Sequence, residues 1–159
     1  MLAALQIREK QVRSLQILVV DDDDADALMI SEALENAEAH TVVDRVADGR
    51  EALDYLRGEG DYAQALRPDL ILLDLNMPRM DGRETLAAIK TDDRLKAIPV
   101  VILTTSGAAP DIVASYQQRA NAYVTKPFGL DDFEATVRQI DRFYREVATL
   151  SGGKGNGES

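Results

Sequence analysis

The most regular feature of the chain is a series of short apolar runs separated by longer amphipathic segments. Four runs of strand length are almost entirely apolar: 17–20, 70–73, 100–103 and 122–124. Because they do not alternate, they predict strands that are covered on both faces. A fifth run, 41–46, alternates apolar and polar residues and predicts an edge strand.

Between these runs, apolar residues recur at spacings of three and four and predict helices. They are Ala27, Ile30, Leu34 and Ala37; Ala52, Leu53 and Leu56; Leu86 and Ile89; Ile112, Val113 and Tyr116; and Phe133, Val137, Ile140, Tyr144 and Val147. Five alternations of strand and helix imply right-handed crossovers and a parallel sheet with helices on both faces. We therefore predict a doubly wound α/β fold.

Composition narrows the classes of function. The 159 residues fit one domain, and a 45% hydrophobic content can build its core. The net charge of −10 disfavours binding to nucleic acid or to an anionic membrane, and the absence of cysteine removes thiolate chemistry. Residues 1–16 mix basic and apolar side chains and do not resemble a signal peptide, so we expect a cytoplasmic protein.

Acidic residues follow two of the predicted strands. Asp21 and Asp22 come after the first strand and Asp74 after the third, and the carboxyl ends of parallel strands share one crevice. A lone Asp there would more often cap a helix, but three carboxylates together need a compensating cation. An all-oxygen set of ligands suits Mg²⁺. The sequence therefore predicts a magnesium site.

A hydroxyl and an ammonium join these carboxylates. Thr104 follows the apolar part of the fourth strand and Lys126 follows the fifth. Each alone has an ordinary explanation, as a strand-end hydroxyl or a surface lysine. Together, an aspartate nucleophile, a cation, a lysine and a hydroxyl donor are the parts needed for phosphoryl transfer.

Four segments carry a family resemblance: ILVVDDD (17–23), LILLDLNMPRMDG (70–82), PVVILTTS (99–106) and AYVTKPF (122–128). They resemble, in order, the signature blocks of response-regulator receiver domains, and the similarity covers residues 15 to 148. The resemblance implies a flavodoxin-like (βα)5 fold with strand order 2-1-3-4-5. It also implies a phosphoacceptor that serves a sensor histidine kinase in a two-component system.

The resemblance also implies roles for individual residues. Asp74 is the expected phosphoacceptor. Asp22 would bind the metal directly, Asp21 directly or through water, and Asn76 through its backbone carbonyl, with Asp74 completing the set.

Further roles follow for residues after the fourth strand and in the fifth. Thr104 would bond a phosphoryl oxygen and Lys126 would pair with the phosphoryl group. Tyr123 would be the aromatic residue that changes rotamer with Thr104, although a half-buried tyrosine on an edge strand is an alternative interpretation. The Lys126–Pro127 bond would be cis, as in the family.

Within the family, the chain resembles the small regulators that serve bacterial phytochromes, so a bacteriophytochrome kinase is the candidate partner. We expect an N-terminal extension at 1–14, a receiver domain at 15–150 and a disordered Gly-rich tail at 151–159, with no DNA-binding output domain. Residues 58–67 lengthen the connection into the third strand.

The last helix is expected to be long, about 20 residues between 130 and 150, which is about 30 Å. Its apolar stripe predicts a homodimer through Phe143, Tyr144, Val147 and Leu150. The alternative is that the stripe packs on the chain's own sheet.

We expect a phosphoacceptor that is not an enzyme, and two other functions are alternatives to it. A magnesium-dependent phosphatase with an aspartyl-phosphate intermediate needs a second Asp two residues after the nucleophile, and position 76 is Asn. A pseudo-receiver that binds partners without phosphorylation loses one of the Asp, Thr or Lys positions, and none is lost here.

Overall fold

The computed structural model describes residues 14–35 and 41–148, which form a sheet flanked by helices. The strands are β1 (Leu15–Val20), β2 (Thr41–Val46), β3 (Leu70–Leu73), β4 (Val100–Thr104) and β5 (Ala122–Thr125). The helices are α1 (Asp24–Glu35), α2 (Gly49–Arg57), α3 (Gly82–Thr91), α4 (Ala109–Gln117) and α5 (Leu130–Arg142), and a π-helical turn (Phe143–Val147) follows α5 directly.

The sheet is parallel throughout, with the order β2-β1-β3-β4-β5. Both the predicted α/β fold and the predicted strand order are confirmed. Val20 lies opposite Leu73, so the residues that follow β1 and β3 emerge side by side. This register places the acidic residues after both strands at one edge of the sheet.

Apolar residues of the three central strands alternate between two cores, which explains why the strands read as continuous apolar runs. One core packs against α2 and α3 and contains Leu18, Val20, Ile71, Leu73, Val100, Ile102, Leu86 and Ile89. The other packs against α1 and α5 and contains Ile17, Val19, Leu70, Leu72, Val101, Leu103, Ile30, Leu34, Phe133 and Val137. Every residue in both lists is almost fully buried.

Helix α4 differs from its predicted orientation. Val113 and Tyr116 are about half exposed, and Ser115 is the residue of this helix that is buried. The Tyr116 hydroxyl accepts a hydrogen bond from the backbone N–H of Tyr123, on the outer edge of β5. The tyrosine therefore covers a sheet edge that would otherwise be open to pairing, and the predicted apolar face was wrong.

Most of the apolar stripe on the last helix is buried within the domain itself. Phe133, Val137 and Ile140 are buried, and Tyr144 packs against the same core. Phe143 is 48% exposed and stacks edge-on against Tyr144, with 5.0 Å between ring centroids. The regular α-helix ends earlier than predicted, because the five residues that follow it adopt the wider π form.

Several predictions fall outside the described part of the chain. They are residues 1–13 of the N-terminal extension predicted at 1–14, Ala37, the side chain of Val147, Leu150 and the tail at 151–159. Within residues 58–67, a 3₁₀ turn (Gly60–Tyr62) brings the ring of Tyr62 to 5.2 Å from that of Tyr55, and the Tyr62 hydroxyl donates to Glu51. Among the described residues, no helix is long and apolar enough to cross a membrane.

Helix α3 begins in direct contact with the end of β3. The Gly82 N–H donates to the Leu75 carbonyl at 2.8 Å, and a Cβ atom at position 82 would lie 2.1 Å from the Asp74 carbonyl oxygen. The side chain of Asp81 caps the helix by accepting from the Glu84 N–H. Glycine at this position therefore allows the helix to begin against the backbone of Asp74.

We predict that Gly82→Ala destabilises the protein by about 1–3 kcal/mol, although alanine has the higher helix propensity, because the added carbon overlaps the Asp74 carbonyl. Urea unfolding measures the change. The control is Gly107→Ala, whose Cβ would meet its nearest neighbour at 3.8 Å and should change stability by less than about 0.5 kcal/mol. Equal stability of the two variants would contradict the proposed close approach.

Candidate functional site

A crevice of about 580 Å³ opens at the carboxyl ends of β1 and β3, where a doubly wound sheet is expected to bind its ligand. Its lining residues are Asp22, Asp23, Asp24, Ala25, Asp26, Asp74, Asn76, Thr105 and Lys126. Five of these nine are acidic residues from the β1–α1 connection and the start of α1, or from the end of β3. The crevice is therefore strongly negative.

The predicted carboxylate cluster is present. One oxygen each of Asp21, Asp22 and Asp74 can be chosen so that all three lie within 4.8 Å of one another. The Asp74 N–H donates to the Val20 carbonyl at 2.9 Å, so the sheet ladder holds the residue that follows β3. Asp21 is 2% exposed and Asp74 is 8% exposed. Three oxygens at this separation fit a hard divalent cation.

Lys126 neutralises part of this charge. Its buried ammonium lies 2.7 Å from Asp21 and 2.8 Å from Asp26, and 3.8 Å from the nearer oxygen of Asp74. Burial alone would lower the pKa of Lys126, but hydrogen bonds to Asp21 and Asp26 outweigh it and raise the pKa. Burial also raises the pKa of Asp21, and the contact with Lys126 opposes that rise.

The remaining predicted residues lie at different depths. Asn76 is exposed and lines the crevice, as does Thr105. Thr104 is fully buried at the end of β4, and its Oγ1 is 3.5 Å from the Ser106 N–H. Thr105 is thus the residue of this pair that lines the crevice, and Thr104 is buried.

Tyr123 is connected to the loop that follows Thr104. Its hydroxyl donates to the Ser106 carbonyl at 2.7 Å, and the Ser106 hydroxyl donates to Asp111 at 2.6 Å. Asp111 also accepts from Arg83 of α3 at 2.9 Å. The bonds from Ser106 and Arg83 lower the pKa of Asp111. Ser106 therefore joins β5 and α4 to the end of β4, and Asp111 extends this connection to α3.

Three contacts near the crevice were not predicted from the sequence. Asp26 pairs with Lys126, and Arg45 of β2 donates to the Asp21 carbonyl at 2.7 Å. Arg79, in the left-handed region at φ 62°, pairs with Asp48 at 2.6 Å.

For two of the acidic residues in these contacts, Asp26 and Asp48, the sequence contains a helix-cap pattern that indicates their position. Asp23 accepts from the backbone N–H of Asp26, so the acidic run contains a helix cap that places Asp26 in the first turn of α1. Asp48 precedes Glu51 by three residues and accepts from its N–H. Nothing in the spacing of Arg79 predicts its left-handed backbone.

One expectation about the backbone was wrong. No peptide bond among the described residues is cis, and the Lys126–Pro127 bond is trans. The trans form is the favoured one for a bond that precedes proline. Lys126 reaches its carboxylate partners in this conformation.

The family is established by comparison with known proteins. Residues 17–138 match the response regulator receiver domain. The chain belongs to this family of two-component signalling proteins, as the fold and the acidic crevice lead one to expect.

Its relatives include regulators of phytochrome signalling. The chain is 43% identical to response regulator Rcp1 of Synechocystis sp., over 84% of this chain and 91% of Rcp1. It is similar to the phosphorylated cyanobacterial phytochrome response regulator RcpA, with a TM-score of 0.85, 48% identity and coverage of 88% and 100%. For the Mn²⁺-bound form of Rcp1 the TM-score is 0.82, with 42% identity and coverage of 87% and 99%.

We predict that Lys126→Met lowers the free energy of unfolding by about 3–5 kcal/mol at neutral pH, because buried carboxylates lose their cation. The loss should shrink on acidification. Burial already raises the folded pKa of Asp21, and the loss of Lys126 removes the contact that opposes this rise. The variant therefore loses additional stability as the pH rises from the unfolded to the folded pKa of this carboxyl, and it recovers that stability as the pH falls. Urea unfolding at neutral and mildly acidic pH measures both effects.

The matched control is Lys90→Met. Lys90 is also buried, but its ammonium donates to the carbonyl oxygens of Lys96 and Ile98, at 3.0 and 2.8 Å. Lys90→Met changes the net charge by the same amount as Lys126→Met, but it leaves no buried carboxylate without a cation. The stability that it costs should therefore not decrease on acidification. A parallel pH dependence in the two variants would contradict the role of Lys126 as counter-ion.

Proposed function

We propose that this receiver domain accepts a phosphoryl group from a histidine kinase on the carboxylate of Asp74 and thereby switches a protein-binding surface. The observation that carries the proposal is the buried carboxylate cluster with Lys126 3.8 Å from Asp74. The similarity to phosphorylated RcpA supports it.

Magnesium is the proposed cofactor. The carboxylates of Asp21, Asp22 and Asp74 and the backbone carbonyl of Asn76 would hold it, and the all-oxygen set favours a hard ion. When bound, the ion supplies positive charge next to Asp74 and the transferring oxygens. The Mn²⁺-bound structure of Rcp1 supports a divalent ion at such a site.

In the proposed reaction, a carboxylate oxygen of Asp74 forms a bond to phosphorus while the bond from phosphorus to the kinase histidine nitrogen breaks. The nitrogen keeps the electron pair. Lys126 and Thr104 would donate hydrogen bonds to the phosphoryl oxygens. Asn76 lacks the acidic proton that a phosphatase of the related type requires, so we propose a phosphoacceptor and not a turnover enzyme.

The switch is proposed to run through Thr104 and Tyr123. Thr104 accepts only a long bond from the Ser106 N–H, so its hydroxyl can turn toward a phosphoryl oxygen at little cost. The loop at Ser106 would follow, and its carbonyl is the acceptor for the Tyr123 hydroxyl. Tyr123 would then change rotamer and alter the surface of α4, β5 and α5.

A sensor kinase of the phytochrome class is the proposed partner. Large apolar side chains are exposed close in sequence to the crevice residues: Phe128 follows Lys126 by two residues and is fully exposed, and Leu28 and Leu130 are more than half exposed. A kinase domain that docks there would cover them. We propose that this transfer takes place in the cytoplasm.

We expect acetyl phosphate with Mg²⁺ to label wild-type protein on Asp74 and to move the amide resonances of Tyr123 and its neighbours. Asp74→Asn should abolish both effects because the nucleophilic oxygen is lost. Asp22→Ala should weaken the labelling and remove stabilisation by millimolar Mg²⁺. Mass spectrometry, heteronuclear NMR and thermal unfolding supply the measurements.

Asp61→Asn is the control for this experiment, since Asp61 lies in the 3₁₀ turn away from the crevice lining. It should be labelled like wild type. Phosphate found on another residue of wild type would contradict the assignment of Asp74.

We also propose a homodimer through the end of α5 and the turn that follows it. Phe143 is 48% exposed and borders half-buried Tyr144, so this end of the apolar stripe retains surface to bury. Val147 and Leu150 are included from the sequence pattern.

We predict that wild type sediments as a dimer at micromolar concentration and that Phe143→Asp with Val147→Asp is monomeric, because charges would have to enter the interface. Analytical ultracentrifugation decides this. Asp132→Asn, at the opposite end of α5, should remain dimeric. A monomeric wild type, with or without phosphorylation, would defeat the proposal.

A further inference from the structure

We infer that Asp26 is a positioning residue that holds the Lys126 ammonium away from Asp74 in the unphosphorylated protein and releases it when Asp74 is phosphorylated. The inference rests on the proposed function. It gives a role to an acidic residue that belongs neither to the metal-binding carboxylates nor to the phosphoacceptor.

The ammonium of Lys126 is in hydrogen-bond contact with Asp21 and Asp26 but not with Asp74. Its ammonium has three N–H donors, and two of them are used by Asp21 at 2.7 Å and Asp26 at 2.8 Å. The nearer Asp74 oxygen, at 3.8 Å, is beyond hydrogen-bond distance. The third N–H is unused, but a group on Asp74 can draw the ammonium closer only if its contact with Asp21 or with Asp26 lengthens.

Asp26 is the partner that can be exchanged. The side chain of Asp21 is 2% exposed and also accepts from the Asp23 N–H at 2.9 Å, so a break with Lys126 would leave a buried carboxylate poorly compensated. The side chain of Asp26 is 23% exposed and lines the open crevice. Water can therefore solvate Asp26 once Lys126 has left it.

The release of the Asp26 side chain also changes the surface of α1, although the helix stays wound. The backbone N–H of Asp26 is held by the cap residue Asp23, so the first turn of the helix keeps its shape while the Asp26 side chain becomes free. Phosphorylation would thus expose an unpaired carboxylate on the face of α1 next to the crevice. This change is separate from the one at Tyr123.

The test compares Asp26→Asn with Asp24→Asn in the full chain. Both remove one negative charge from the crevice lining, but Asp24 pairs with Arg45 at 2.9 Å and its side chain is 91% exposed. We expect Asp26→Asn to be phosphorylated by acetyl phosphate with Mg²⁺ about threefold faster than Asp24→Asn, because Lys126 is no longer held by a charged competitor. Asp26→Glu should return the rate toward that of wild type.

A second readout follows the contact itself. In wild type, beryllofluoride with Mg²⁺ should shift the carboxyl carbon resonance of Asp26 and leave that of Asp24 in place. Equal labelling rates in Asp26→Asn and Asp24→Asn, or an Asp26 resonance that does not move, would overturn the inference. A wild type that is not labelled at all would instead overturn the proposed function.

Discussion

Lys126 makes a buried contact with the carboxylates at the carboxyl end of the sheet, and without it the fold would bury negative charge with no cation beside it. Asp21 and Asp74 follow strands that are otherwise apolar on both faces, so the fold places them where water solvates them poorly. Their mutual repulsion would destabilise the domain without a cation. Lys126 supplies one positive charge, whereas the cluster contains three carboxylates and can accept further positive charge.

The fold delivers these side chains through backbone contacts that tolerate little change. The ladder holds Asp74 beside Val20, and Gly82 lets α3 begin against the Asp74 carbonyl. The connection between them is held from the other side by Arg79 and Asp48. Burial alone would raise the pKa of Asp48, but its bonds from backbone N–H groups and from Arg79 lower it. The loop that carries Asn76 is thus fixed at both ends.

Most of this arrangement can be predicted from the sequence, because parallel strands buried on both faces have a distinctive pattern and their carboxyl ends must meet. The positions of Asp21, Asp22, Asp74 and Lys126 follow from those two facts. Orientation within a helix was less predictable where packing and edge protection compete. The spacing of Tyr116 predicts a core residue, yet its hydroxyl accepts a hydrogen bond from the backbone of Tyr123 at the edge of β5.

Contacts between side chains of different elements were the least predictable part. The pairing of Asp26 with Lys126 joins residues 100 positions apart, and that of Arg79 with Asp48 joins residues 31 apart. Local patterns carry no information about which of many charged residues will meet at such separations. The same limit applies to Asp111, whose sequence surroundings suggest only an acidic residue in the first turn of α4.

The crevice is connected to two sides of the domain by different means. On one side, Ser106 follows Thr104 and accepts from Tyr123 while donating to Asp111, so a shift of this loop must carry or break both bonds. On the other side, Lys126 links the crevice to Asp26 on α1 through a single ion pair. Because the two routes share no hydrogen bond, a change in the crevice can alter the α4 and β5 surface and the α1 surface separately. A substitution that disables one route therefore need not disable the other.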